Sequence, residues 1–191
     1  MRERMLVLIL FFGMAAIGWP FQSGGADEMG GDAISDKFNL VTCGDDTIGV
    51  KFLCNPDWDI HAEQNAIQMI VSNEPIITAT ILKGKTKLVS LEQLTKEVFM
   101  RQDRYEEGFQ IERVIIAGRD ALLVKGFSNI DPDTRYSDYY VIKNKFLYSF
   151  LFSLRPKSRW GRFKFLIKKV SDSISFLKYS DLHQPFFSQH Y

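Results

Sequence analysis

The stretch Ile48-Gly49-Val50-Lys51-Phe52-Leu53-Cys54-Asn55-Pro56-Asp57-Trp58-Asp59-Ile60 decides the fold. Its pattern predicts a strand, a turn built on Asn-Pro-Asp, and a tryptophan that opens the next strand. Because proline fixes its own φ and biases Asn55 towards extended conformations, the corner is stiff before anything packs on it. Trp58 can then fold back over the core and bury a large apolar surface.

The segments that follow predict three hairpins, because apolar runs alternate with short polar turns. The paired segments are 66–72 with 76–82, 109–116 with 121–127, and 136–142 with 146–153; a further strand is predicted at 38–43. Residues 146–152 are apolar almost throughout, which favours a central strand that is buried on both faces. A polar, basic loop is predicted at 83–87.

Two helices are predicted beside these hairpins. Ser90 is a good N-cap with Gln93 at the capping-box position, and the apolar spacing extends the first helix to residue 107. The second helix, 158–177, has an apolar stripe at three- and four-residue spacing. Helices separated by runs of hairpins predict an α+β fold with an antiparallel β-sheet flanked by helices. The predicted core residues are Trp58, Phe99, Phe150, Phe163 and Ile167.

The N-terminal residues are typical of an export signal. Arg2 and Arg4 precede an uncharged apolar run of about fourteen residues, and small residues follow it. The run is shorter than the roughly twenty residues that span a bilayer. Residues 1–26 are therefore predicted to be a secretory signal peptide, with an uncleaved N-terminal anchor as the alternative. The predicted location is periplasmic or extracellular.

The rest of the chain predicts one domain. The 191 residues are 46% hydrophobic and 14% aromatic, which supports a substantial core. Residues 27–37 are rich in glycine and acid and are predicted to be a flexible mature N-terminus. Residues 38–179 are predicted to form a single sandwich domain, and 180–191 a C-terminal tail. Without residues 1–26 the chain has 22 basic and 22 acidic residues, so net charge gives no argument for nucleic-acid binding.

Cys43 and Cys54 are the two cysteines, and export favours a disulfide between them. The spacing argues against it. If 38–43 and 48–54 formed one hairpin turning at 44–47, the two cysteines would lie on the order of 20 Å apart. The alternatives of a bridge and of two small buried thiols stay open.

A basic segment near the C-terminus is the main candidate for a functional surface. On the predicted helix 158–177, Arg159, Arg162 and Lys169 share one face, and Lys164 and Lys168 form a second row beside it. Such a helix can dock an acidic protein partner or an anionic membrane surface. The alternative is an ordinary solvated helix face, which also carries charges.

Catalytic signatures are absent from the sequence, which predicts a protein that is not an enzyme and needs no cofactor. There is no HExxH, GxSxG, GxGxxG, Walker-type or EF-hand pattern. Ser175-Phe-Leu-Lys178 matches only the SxxK string, and Cys54 near His61 has no third orienting residue. A hydrolase that uses Cys54 or Ser175 is therefore the weakest of three hypotheses.

The remaining hypothesis is a small-ligand or lipid-binding module that uses the concave side of the sheet. Tyr136, Tyr139, Tyr140 and Tyr148 would line it, although aromatic packing is their default role.

The order of these parts resembles that of the PsbP-like α/β/α sandwich superfamily, over about residues 47–178. The resemblance rests on the Pro56–Trp58 corner and the hairpin after it, Ser90-Leu-Glu-Gln-Leu94, Gly118-Arg-Asp-Ala-Leu122, the phenylalanine-rich strand, and Ser173-Ile-Ser-Phe176. It implies the sandwich fold and a non-enzymatic binding or assembly role, as in the bacterial envelope members. It implies no metal-binding or partner-binding residues.

Overall fold

The structure is a computed structural model that describes residues 38–100 and 109–177. The predicted signal peptide, mature N-terminus and C-terminal tail lie outside these residues, as does the end of the first predicted helix at 101–107. The domain boundaries therefore stay predictions.

Seven antiparallel strands form the main sheet, in the order β3-β4-β5-β9-β8-β7-β6. The strands are β3 (Asp59–Glu63), β4 (Ala66–Asn73), β5 (Ile76–Lys85), β6 (Gln110–Ile116), β7 (Arg119–Phe127), β8 (Arg135–Lys143) and β9 (Phe146–Arg155). The three predicted hairpins are all present, and β9 is the central strand, as its apolar sequence predicted. Ala117-Gly118 and Asn144-Lys145 connect two of the hairpins with positive φ at both residues, the backbone that suits tight hairpin turns.

A second sheet of three strands lies over one face of the first. It has the order β1-β2-β10, with β1 (Val41–Asp45), β2 (Val50–Cys54) and the short β10 (Ser175–Phe176). The decisive stretch thus supplies β2, the middle strand of the small sheet. Val50, Phe52 and Cys54 are buried, because alternate residues of β2 face the core.

Two helices complete the sandwich. Helix α1 (Leu91–Met100) begins after Ser90 as predicted: Ser90 Oγ accepts a hydrogen bond from the Gln93 N–H at 3.3 Å, and Gln93 Oε1 accepts one from the Val89 N–H at 2.9 Å. Helix α2 (Trp160–Ser173) follows a short 3-10 helix at Lys157–Arg159.

The large sheet separates two hydrophobic cores. The main core lies between the large sheet, the small sheet and α2, and it contains Ile48, Val50, Phe52, Trp58, Tyr148, Phe150, Phe152, Phe163, Leu166, Ile167 and Val170 among others. The second core lies under α1 and contains Leu94, Val98, Leu122, Val124 and Tyr136. This arrangement confirms the predicted α+β fold, with antiparallel strands flanked by helices.

Three details of the prediction are wrong. Phe99 is 48% exposed rather than in the core, because α1 turns Leu94 and Val98 towards the sheet. Helix α2 ends at Ser173 rather than at 177, because the next residues leave the helix to pair with β2 as β10. The predicted loop at 83–87 is strand as far as Lys85, since β5 pairs with β9 along its whole length.

The expected distance between the cysteines is also wrong. Strand β1 continues to Asp45, so the turn is displaced towards Gly49 and Cys43 lies opposite Phe52. Cys54 is two residues further along β2 and projects to the same face. The two Cα atoms are 5.8 Å apart and the structure joins the cysteines in a disulfide, which an in-register hairpin therefore allows.

The corner at Trp58 has the predicted form. The Asn55 side chain accepts a hydrogen bond from the Asp57 N–H at 2.8 Å, and the Asn55 carbonyl accepts one from the Trp58 N–H at 3.0 Å. Trp58 is only 7% exposed and packs edge-on against Phe38, just before β3 begins. Among the described residues its Nε1 finds no hydrogen-bond partner, so the ring contributes through apolar burial.

Asp138 is a carboxylic acid buried in strand β8, on the face that α1 covers. The Ser149 hydroxyl donates a hydrogen bond of 2.7 Å to its Oδ1. Burial raises the pKa of Asp138 from 3.8 to about 6, against the opposing effect of hydrogen bonds from Tyr140 and Ser149. The folded state therefore binds this proton more tightly than the unfolded chain does.

Replacing Trp58 by alanine is expected to lower the free energy of unfolding by about 3–5 kcal/mol, because a buried aromatic ring is removed. Trp58→Phe is the control and should cost less, since it keeps a ring and sacrifices no hydrogen bond. Denaturant unfolding of both variants measures the difference. An unchanged midpoint for Trp58→Ala would contradict the burial of this corner.

Replacing Asp138 by asparagine is expected to stabilise the protein at neutral pH. The stability that the protonated carboxyl contributes is complete below pH 3.8 and is lost as pH rises to about 6. At neutral pH the gain from Asp138→Asn should be on the order of 3 kcal/mol. Unfolding free energies measured from acid to neutral pH test this, and parallel curves for the variant and the wild type would contradict it.

Candidate functional site

Helix α2 is held by its apolar side and by its C-terminal end. Phe163, Leu166, Ile167 and Val170 are buried in the main core, at the spacing the sequence predicted. At the end of the helix the Ser173 hydroxyl donates to the Val170 carbonyl at 2.6 Å and accepts from the Leu53 N–H at 2.7 Å. These contacts tie α2 to β2 and present its other side to solvent.

The solvent side of α2 carries unpaired positive charge. Arg162, Lys164 and Lys169 are exposed, and no carboxylate of the described residues forms an ion pair with them. Phe165 is 40% exposed and lies between these cations on the helix, with Lys164 Nζ 4.9 Å from its ring centroid. We call Arg162, Phe165 and Lys169 the outer face of α2.

The other two predicted residues are placed differently. Lys168 forms an ion pair with Asp172, one helical turn away. Arg159 is half-buried and belongs to the 3-10 helix, so the α-helical spacing used to place it beside Arg162 does not apply. Whether these five residues bind a partner stays a prediction.

A cleft of about 340 Å³ opens between α2 and the strands β6, β7 and β8. Most of its wall is apolar. Three lysines, Lys125, Lys164 and Lys168, also line it, together with the Asp172 carboxylate of α2. The lining residues are Val114, Ile115, Ile116, Leu123, Lys125, Ser137, Tyr139, Trp160, Lys164, Ile167, Lys168 and Asp172. Lys125 is paired with Glu112 at 2.6 Å. Lys164 and Lys168 thus lie on the side of α2 that borders the cleft, and not on its outer face.

Only part of this cleft is visible in the sequence. The amphipathic pattern of α2 identifies Lys164 and Lys168 as one row, but nothing local indicates that β6 to β8 stand opposite them. Lys125, Tyr139 and Trp160 were therefore missed as neighbours. Their proximity depends on the pairing of strands that are far apart along the chain.

The predicted tyrosine-lined groove does not exist. Tyr136 and Tyr140 face α1, while Tyr139 and Tyr148 pack on the opposite side of the sheet, in the main core. Successive residues of a strand point to opposite faces, so neighbours such as Tyr139 and Tyr140 cannot line one groove. Tyr139 alone lines the cleft, and burial raises the pKa of its hydroxyl.

The residues of the hydrolase hypothesis do not form a catalytic site. Cys54 is buried and bonded to Cys43, which removes its thiolate. Ser175 lies in β10, and His61 is an exposed residue that contacts Asp59 at 3.0 Å.

Metal-ligand clusters and membrane-spanning helices are both absent from residues 38–100 and 109–177. Within these ranges no cluster of three or more His, Cys, Asp or Glu side chains has the arrangement that a metal ion needs. No helix in the same ranges is long and apolar enough to cross a membrane.

Comparison by sequence finds no relatives: no family model and no curated protein matches this chain.

Comparison by structure finds matches at low sequence identity. The solution structure of cyanobacterial PsbP (CyanoP) from Synechocystis sp. PCC 6803 is 13% identical with a TM-score of 0.52, and the match covers 80% of this chain and 98% of that one. The Ran-binding protein Mog1p of Saccharomyces cerevisiae is 8% identical with a TM-score of 0.52, covering 75% of this chain and 98% of that one. A crystal structure from Bacteroides thetaiotaomicron VPI-5482 is 10% identical with a TM-score of 0.49; 70% of this chain matches 47% of that one, about half its length.

The first two of these matches span almost the whole of the known structures. They show that the chain has the PsbP-like α/β/α sandwich fold, which confirms the resemblance predicted from the order of its parts. At these identities the likeness shows the fold alone.

Proposed function

We propose that this protein is an exported, non-enzymatic binding or assembly accessory protein of the cell envelope. It docks an acidic protein partner through the outer face of α2, and an anionic membrane surface is the alternative occupant of the same face. The observation that carries the proposal is that Arg162 and Lys169 are exposed on one side of α2 without a carboxylate partner among the described residues.

The two helices of the fold differ in a way that supports this proposal. The exposed side of α1 mixes signs, with Glu92, Lys96 and Glu97, which is usual for a helix face that only meets water. Helix α2 has four basic residues and a single acidic one, Asp172, which is already paired with Lys168. A concentration of one sign on one face attracts an oppositely charged surface and increases the rate of encounter.

Phe165 adds an apolar contact at the centre of these charges. A half-exposed ring surrounded by cations resembles the anchor of a protein interface, where aromatic residues and arginine are enriched. The fold also supports a binding role by analogy, since Mog1p is described as a Ran-binding protein. This analogy identifies no partner for the present chain.

A second candidate function uses the cleft rather than the outer face of α2. Its volume of about 340 Å³ falls within the range of small-ligand sites. Apolar walls with lysines beside them suit a molecule that has an apolar body and one anionic group. This is the ligand-binding hypothesis in the form that the structure supports, with Trp160 and Tyr139 in place of the tyrosine groove.

Charge reversal on the outer face tests the main proposal. Arg162→Glu/Lys169→Glu is expected to abolish a discrete crosslinked complex formed by the wild-type protein in cells, because two attractive charges become repulsive. Lys87→Glu/Lys96→Glu, an equal charge change at exposed residues elsewhere, is the matched control and should retain the complex. Crosslinking followed by mass spectrometry identifies the partner, and binding to the purified partner should weaken with added salt. A complex that survives in the α2 variant, or is lost equally in the control, would overturn the proposal.

The cleft is tested separately with variants that leave the outer face of α2 intact. Val114→Phe fills the cleft from β6, and Lys164→Gln/Lys168→Gln removes its two α2 cations. Native mass spectrometry of protein purified from cells, with dodecanoate and the uncharged dodecanol as added probes, measures occupancy. Dodecanoate is expected to bind the wild type and to be lost in both variants. Equal binding of dodecanol, or retention by the filled variant, would contradict this second candidate.

A further inference from the structure

Three cations on three strands of the large sheet lie at one end of it, apart from the outer face of α2 and from the cleft. Lys83 of β5 lies opposite Tyr148, and Lys143 of β8 lies opposite Phe146, both on the central strand β9. Directly opposed residues of an antiparallel pair project to the same face. Lys83 and Lys143 therefore project to the face on which Tyr148 enters the main core.

Arg119 joins this pair from β7. The register of β7 and β8 runs from Phe127 opposite Arg135 to Leu122 opposite Tyr140. If the same register is continued to the end of both strands, Arg119 lies opposite Lys143. The positive charges of Arg119 and Lys83 both act on Lys143, as this placement predicts.

Aromatic rings hold the two lysines in place. Lys143 Nζ is 4.2 Å from the ring centroid of Phe176, and Lys83 Nζ is 5.0 Å from that of Phe146 and 6.0 Å from that of Tyr148. Lys83 Nζ also donates to the Thr47 carbonyl at 2.7 Å. Both lysines are half-buried, and these contacts restrict where their ammonium groups can lie.

Their charges are not balanced within the described residues. No carboxylate of residues 38–100 or 109–177 forms an ion pair with Lys83, Lys143 or Arg119. Burial lowers the pKa of Lys143, and the charges of Arg119 and Lys83 lower it further. Like charges opposite each other on a sheet are destabilising, so the free protein bears a cost that a bound anion would relieve.

We propose that Lys83, Lys143 and Arg119 form a binding site for a phosphate group. Phosphate carries close to two negative charges and three acceptor oxygens, so it suits three neighbouring cations better than a single carboxylate does. The Arg119 guanidinium offers two parallel N–H donors, and the lysines supply point charges that the aromatic rings orient. The site includes no residue of the outer face of α2 or of the cleft. The phosphate proposal is therefore tested independently of the proposed function.

Inorganic phosphate is the probe, titrated into the purified protein at constant ionic strength with chloride as the reference anion. The test variant is Lys143→Met, which keeps an unbranched apolar chain against Phe176 and removes the charge. Lys96→Met on α1 is the matched control, at an exposed lysine outside the proposed sites. Phosphate should raise the melting temperature of the wild type and of the control, and the affinity of the test variant should fall by about tenfold or more.

A second readout separates binding from a structural role. In chloride alone, Lys143→Met should melt at or above the wild type, because the repulsion with Arg119 and Lys83 is gone. In phosphate the order should reverse. An equal phosphate response in Lys143→Met and the wild type, or no response in the wild type, would overturn the proposal, and so would an unchanged affinity in Arg119→Gln.

Vesicles then identify the source of the phosphate group. If vesicles of anionic phospholipid bind the wild type in a manner that Lys143→Met abolishes and free phosphate displaces, the ligand is a lipid headgroup. If vesicles do not compete while phosphate still binds, the ligand is a soluble phosphate compound. Vesicle binding that depends on Arg162 and Lys169 but not on Lys143 would be assigned to the outer face of α2 and would count against a headgroup at this site.

Discussion

The central strand β9 is the element on which the rest of the structure depends. It pairs with β5 and with β8 along nearly its whole length, so its backbone hydrogen bonds are satisfied on both sides. Tyr148, Phe150, Phe152 and Leu154 enter the main core, while Leu147 and Leu151 pack in the second core under α1. One strand thus anchors both layers of the sandwich. Because their inner sides are occupied by the cores, the two helices can contact other molecules only through the sides that these cores leave uncovered.

The features that local chemistry determines could be predicted from the sequence. The Asn55-Pro56-Asp57 corner, the hairpins and the Ser90 cap each depend on residues within a few positions of one another. The apolar run of β9 predicted its central position because a strand covered on both faces needs few polar residues. The amphipathic stripe of α2 likewise predicted which of its side chains are buried.

The features that depend on register or on distant pairing could not be predicted in the same way. Two further residues in β1 bring Cys43 within bonding distance of Cys54, a change that no composition or spacing rule reveals. The cleft beside α2 requires β6 to β8 to be placed opposite Lys164. The tyrosine groove is different, because the sequence could have excluded it. Tyr139 and Tyr140 are neighbours in β8, and neighbouring residues of a strand project to opposite faces.

The pairing of β10 with β2 has a consequence for how the chain can acquire its structure. Lys51 and Val50 pair with Ser175 and Phe176, and the Leu177 N–H donates to the Gly49 carbonyl at 3.0 Å. During synthesis, β2 lacks one of its two neighbours among the described strands until residues 175 and 176 have been made. An exposed strand edge invites wrong pairing with other chains. The nascent polypeptide therefore exposes an unpaired strand edge until β10 has been made. A truncation before residue 175 would leave that edge permanently unpaired.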